Sequence, residues 1–201
     1  MNGPSKYNQK GNQEKREVFR LNDSILNFNQ GSWHNPPNCH KLNIREAFLL
    51  QRNEIISGFE GLPKPWGIKD PRMLLTYDFW KHKLQDHQFI GTFRHPAKVA
   101  NSLAARGNLA VPVKKGFELW FFYNKNLLNY HEKFGFPIVN FDLPQEQYLE
   151  KVREAAKLLS LNHEAGLDFF DPNLKHQETD NKTAIPEKCL SLYNQLLSLA
   201  L

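Results

Sequence analysis

The stretch FIGTFRHPAKVANSL, residues 89–103, is an apolar run that stops at an arginine, passes a proline and continues with helical spacing. Proline is favoured at the first helical position, so a strand closing at Phe93 and a helix opening at Pro96 leave Arg94 at a helix mouth. First-turn N–H groups lack intrahelical partners and carry the positive end of the helix dipole, so an anion beside Arg94 is held by both. A phosphate fits that description.

The rest of the chain tells what surrounds this junction. EKREVFRLNDSILNFN places Val18, Leu21, Ile25 and Phe28 at helical spacing, and IREAFLLQRNEII resumes the period through Ile44, Phe48 and Ile55 after the loop GSWHNPPN. PWGIKDPR reads as a short strand ended by proline, followed by a helix over about Leu74 to Gln85. Gln88 to Phe93 is the strand of the junction. Val113, Phe117, Trp120, Phe121, Leu127 and Leu128 predict a long helix, apolar on much of its circumference and hence largely buried. PIVNF, at 137–141, is a second strand. It leads into a helix with Leu149, Val152, Ala155, Ala156 and Leu159 on one face, and a polar interval around 171–184 precedes a last amphipathic helix, Glu187 to Leu201. Short strands alternating with helices of ten residues or more pair in parallel through crossovers, which makes the class α/β. No repeat or long linker divides the chain, so one domain over 1–201 is expected.

Composition narrows the classes. A hydrophobic fraction of 40% with 15 Phe and 4 Trp belongs to a globular protein. No apolar run approaches the ~18 residues of a membrane span and the first residues hold no signal-peptide core, so a cytoplasmic protein with no membrane partner is expected. The net charge of +5 suits an anionic ligand. The basic residues are dispersed rather than striped, which argues against nucleic acid. Cys39 and Cys189 stand far apart, as two buried or idle thiols rather than a disulfide framework. His34, Cys39 and His40 share a proline-rich loop but have no fourth ligand at a diagnostic distance, so no metal is expected. His82 and His87, five apart on a predicted helix, do not share a face and read as solvated. Lys114 and Lys115 read as solvating the start of the long helix, and Trp33 and Trp66 as packing aromatics.

Three segments taken together resemble the sulfotransferase family, in particular its bacterial members. WGIKDPRMLLTYDFW, at 66–80, is similar to that family's Lys-Asp-Pro-Arg strand end. FRHPAKVANSL resembles its Arg-x-Pro-x-x-x-x-x-Ser segment, and NFDLPQEQYLEKVREAAKLLSL resembles its late strand and helix. Weaker similarity in KGNQEKREVFRLNDSILNFNQGSWHNPP and FFDPNLKHQ extends the likeness over nearly the whole chain. The resemblance implies a P-loop-like three-layer fold, helix-rich, with a short parallel sheet flanked by helices. It also implies binding of the sulfate donor 3′-phosphoadenosine 5′-phosphosulfate (PAPS), or of its product 3′-phosphoadenosine 5′-phosphate (PAP). Arg94 and Ser102 would hold the 3′-phosphate. For Ser102 the alternative is a small residue that lets helices pack closely.

Lys69, Asp70 and Arg72 are the candidates for acceptor chemistry. Sulfuryl transfer needs an in-line nucleophile, a base for its proton and cations for the transferred group. Asp70 would be the base, with Lys69 or Arg72 on the sulfate or holding the carboxylate in place. The alternative is a buried Asp–Arg pair that closes the turn, and two adjacent cations would make Asp70 a weaker base.

The family opens with a strand and a Gly- and Ser/Thr-rich loop around the 5′-phosphosulfate, and these 201 residues contain no counterpart. The expectation is therefore an N-terminally incomplete or reduced sulfotransferase-like chain, with an unfilled sheet slot that invites self-association. Three functions follow. The first is sulfuryl transfer from PAPS to a hydroxyl or amine of a small-molecule or glycan acceptor. The second is PAP binding without chemistry, or a protein-interaction remnant of the fold. The third is a basic α/β protein contacting nucleic acid or a protein.

Overall fold

A computed structural model describes residues 14–37, 41–164 and 183–201. The chain forms two compact units, one running to His87 and the other starting at Gln88.

The first unit is helical. α1 (Arg16–Phe28) and α2 (Glu46–Glu60) are two helices of similar length, followed by a short third, α3 (Met73–Trp80). Val18, Leu21 and Ile25 of α1 form the inward stripe that their spacing predicts, against Ile56 and Phe59 of α2 and Phe79 and Trp80 of α3. Phe28, the fourth member of that stripe, is instead partly exposed beneath the Arg45 guanidinium, 3.8 Å from its ring centroid. Trp66 is a packing aromatic, stacked on Phe59 at 4.9 Å.

Two sequence expectations fail here. Residues 66–70 are not a strand. Trp66 and Ile68 pack on the helical cluster, while Gly67 between them is exposed, and no neighbouring strand pairs with the segment among the described residues. The helix expected to reach Gln85 stops at Trp80, so His82 and His87 are not helical at all. His87 is half-buried rather than solvated. Its Nδ1 meets the Leu84 carbonyl at 2.9 Å, which makes Nδ1–H the donor and leaves Nε2 to accept from the Tyr77 hydroxyl at 2.9 Å.

The second unit carries the α/β pattern. β1 (Gly91–Phe93) leads into α4 (Pro96–Ala104). After a 3-10 turn, α5 (Val113–Phe134) runs back to β2 (Ile138–Asn140), and α6 (Gln145–Leu158) and α7 (Glu187–Leu199) follow. β1 and β2 pair in parallel, Gly91 with Ile138, Thr92 with Val139 and Phe93 with Asn140. Both strands are shorter than the apolar runs that announce them. The fold class is α/β, helix-rich with a two-stranded parallel sheet.

Local chemistry sets the crossover. Pro96 starts α4 where its missing N–H costs nothing. Gly135 ends α5 in the left-handed region, φ +63°, with its N–H on the His131 carbonyl at 2.8 Å, and this turn feeds β2. α6 buries Ala155 completely, and the other members of its predicted face are half-buried. After α7 the Leu201 N–H donates to the Ile138 carbonyl at 3.0 Å, on the edge of β2. Cys189 is a buried thiol, and burial raises its pKa. Cys39, His40 and most of the polar interval at 171–184 lie outside the described residues.

α4 and α5 pack closely because Gly116 has no side chain. A Cβ there would stand 2.9 Å from the Ala100 Cα and 3.3 Å from its carbonyl oxygen, which are backbone atoms that move only if the helices part. Gly116→Val is expected to cost about 2–3 kcal/mol by overpacking. Urea denaturation checks this, with Gly58→Val, at an open position, as the comparison.

Candidate anion-binding site

The sequence candidates fall into two clusters, one in each unit. Lys69, Asp70 and Arg72 lie just before α3. Asp70 Oδ1 accepts the Arg72 N–H at 2.9 Å, an Asx turn that starts the helix, and also Arg72 Nη1 at 2.9 Å. Asp70 Oδ2 accepts from Asn22 Nδ2 at 2.8 Å. The Asp70 side chain is 0% exposed, so the carboxylate has three donors and no face to solvent. Arg72 extends the network to Asp23 at 2.6 Å and to Glu14 at 3.8 Å, and Lys69 reaches the same Glu14 at 3.2 Å. Burial opposes the charge on Arg72, but Asp70 and Asp23 outweigh it and hold the guanidinium pKa above its ordinary value. Asp70 and Arg72 thus form a buried pair across the turn that opens α3.

Asn22 organises the cluster, and no sequence motif singles it out. Fully buried on α1, it donates to Asp70 and accepts from Thr76 Oγ1 at 2.9 Å and Trp80 Nε1 at 2.8 Å. Its position on the inward stripe, next to Leu21, is the only sign in the sequence: a polar residue on an apolar face needs buried partners.

Arg94 sits in the second unit where β1 meets α4. Trp120 Nε1 donates to its backbone carbonyl at 2.9 Å. The guanidinium carbon lies 4.9 Å from the centroid of the Phe141 ring, a cation–π contact, and the side chain is 30% exposed. Its Nη2 reaches Asp142 Oδ1 at 3.4 Å, a long and weak bond. Its Nε is buried with no hydrogen-bond partner among the described residues, and so is His95 Nδ1. The His95 side chain gives α4 no cap. Ser102 is half-buried two turns into α4, four residues beyond Lys98 and so on the same face.

Two further residues complete the cluster. Lys98, in the first turn of α4, lies 3.2 Å from Asp142 Oδ1, and the His95 N–H donates to Asp142 Oδ2 at 2.6 Å. Parallel pairing explains the meeting: Arg94 follows β1 and Asp142 follows β2, so both stand at the carboxyl edge of the sheet, where open α/β sheets hold their ligands. Counting residues past the end of both predicted strands would have found Asp142. The cluster has two cations against one carboxylate, beside a helix mouth that adds positive potential. It is suited to bind an anion. Burial lowers the His95 pKa, aided by Lys98 and opposed by Asp142.

Asn22→Ala leaves Asp70, Thr76 and Trp80 each short of a buried partner and is expected to destabilise the protein by about 3 kcal/mol, read from chemical denaturation. The His95 shift has a definite sign. A histidine whose folded pKa lies below its unfolded 6.5 contributes stability that is present above pH 6.5 and lost as pH falls through the folded value. The stability of wild type relative to His95→Gln is therefore expected to fall between pH 7 and pH 5, measured by thermal unfolding of both proteins across that range.

Among the described residues no group of His, Cys, Asp and Glu side chains could hold a metal ion, and no helix is long and apolar enough to cross a membrane. No protein-family model matches the chain, and no curated protein or solved structure is significantly similar to it.

Proposed function

We propose that the chain is a sulfotransferase-like protein that binds PAPS or PAP, with the 3′-phosphate held by Arg94 at the mouth of α4 and by Ser102, which lies two turns further along on the Lys98 face. In this reading β1 and β2 are part of a P-loop-like three-layer sheet, and sulfuryl transfer goes to a hydroxyl or amine of a small-molecule or glycan acceptor. The observation that carries it is the state of Arg94: a buried Nε without a hydrogen-bond partner among the described residues, on a side chain that lies over Phe141 beside the mouth of α4. A buried donor with no acceptor is rare in a native protein, and a phosphate oxygen would supply the acceptor. The guanidinium's planar fork of donors suits that guest.

A second reading, nucleotide binding without transfer, draws support from Asp70. A general base must come within hydrogen-bond reach of the proton that it takes, and the Asp70 carboxylate is fully enclosed and already accepts three bonds. Nucleotide binding is common to both readings; the base is not.

PAP at ~100 times its dissociation constant is expected to stabilise the protein by about 2.7 kcal/mol, seen as a thermal shift that adenosine 5′-phosphate, lacking the 3′ group, does not give. Arg94→Ala should abolish the shift. The absence of any shift with PAP would remove both readings. Turnover of labelled PAPS with a panel of acceptors separates them, and a rate that survives in Asp70→Asn would show that Asp70 is not the base.

A further inference from the structure

The proposed phosphate site contains an anion of its own. Asp142 is 9% exposed, and its carboxylate takes three donors: the His95 N–H at 2.6 Å, Lys98 Nζ at 3.2 Å and Arg94 Nη2 at 3.4 Å. These belong to the same guanidinium and the same helix mouth that a phosphate would use. The Asp142 N–H is fixed in turn by Asn140 Oδ1 at 2.9 Å, so the residue is anchored at the end of β2 whatever its side chain does. A carboxylate and a phosphate dianion in contact with one set of donors repel each other strongly in a partly buried site.

We propose that Asp142 is a built-in competitor for the phosphate site, an autoinhibitory contact that the nucleotide's 3′-phosphate displaces from Arg94, Lys98 and the His95 N–H. The proposal rests on the nucleotide reading above. The bond to be broken at Arg94 is already long, and Phe141 lies under the guanidinium, so the cation keeps its place when the carboxylate leaves. Release requires only a change of side-chain rotamer at Asp142, because the backbone anchor to Asn140 does not involve the carboxylate. The opposite role, a carboxylate that orients Arg94 and Lys98 for the ligand, predicts the opposite effect of removing its charge.

Calorimetric titration with PAP separates the two. Asp142→Asn is expected to bind PAP about tenfold more tightly than wild type; equal or weaker binding by a folded variant overturns the competitor role. The wild type gives a second measurement that does not depend on the variant folding. In NMR spectra, PAP is expected to shift both the Arg94 Nε–H and the His95 amide, the latter losing the signature of its short bond to a carboxylate. If Arg94 responds and the His95 amide stays in place, Asp142 keeps its contacts in the complex and the proposal is wrong while the nucleotide reading stands. If neither signal moves, both fail.

Discussion

The second unit depends on three residue pairs of parallel ladder between β1 and β2. Parallel pairing obliges both strands to finish at the same edge, and the crossover through α4 and α5 obliges a helix to start there. From that constraint the meeting of Arg94, His95, Lys98 and Asp142 follows without any special motif. Three features frame the short ladder: Gly116 lets α5 lie against α4, the left-handed Gly135 turns the chain into β2, and Leu201, just past α7, adds a bond to the edge of β2.

The first unit is held on a different principle, a polar network inside an apolar cluster. Asn22 links α1 to the turn before α3 and to α3 itself, and every one of its side-chain atoms able to bond has a partner. Asp70 and Arg72 complete that network from the turn. Arg52 shows a related economy. Its buried guanidinium donates to the Phe79 carbonyl at 2.6 Å, near the end of α3 where helical carbonyls lack partners and the dipole is negative. Burial lowers the Arg52 pKa, which is consistent with a cation held by a carbonyl rather than by an acid.

How much of this was legible in the sequence differs by element. Helical spacing gave α1, α2, α5, α6 and α7 because an apolar stripe has a period that can be counted, and Pro96 marked the start of α4. The strand expected at 66–70 failed because so short a segment has no period, and what decides its state is whether a ladder partner exists. Arg94 was visible from its place between strand and helix. Lys98 and Asp142 stood out by no motif of their own: their role comes from two strand ends brought together across more than forty residues, and Asp142 is found only by counting past the ends of two strands taken to pair in parallel. Asp70 was visible as a residue worth asking about, but whether its carboxylate opens to solvent depends on Asn22, 48 positions away.

Arg94 is proposed to grip a nucleotide's 3′-phosphate. Phosphorus NMR of PAP tests it most directly, because the 3′- and 5′-phosphates give separate resonances. With wild-type protein the 3′ resonance should shift and broaden on binding, and with Arg94→Ala it should stay at its free position. A 3′ resonance unaffected by the wild-type protein, or one that responds equally with Arg94→Ala, would contradict the claim.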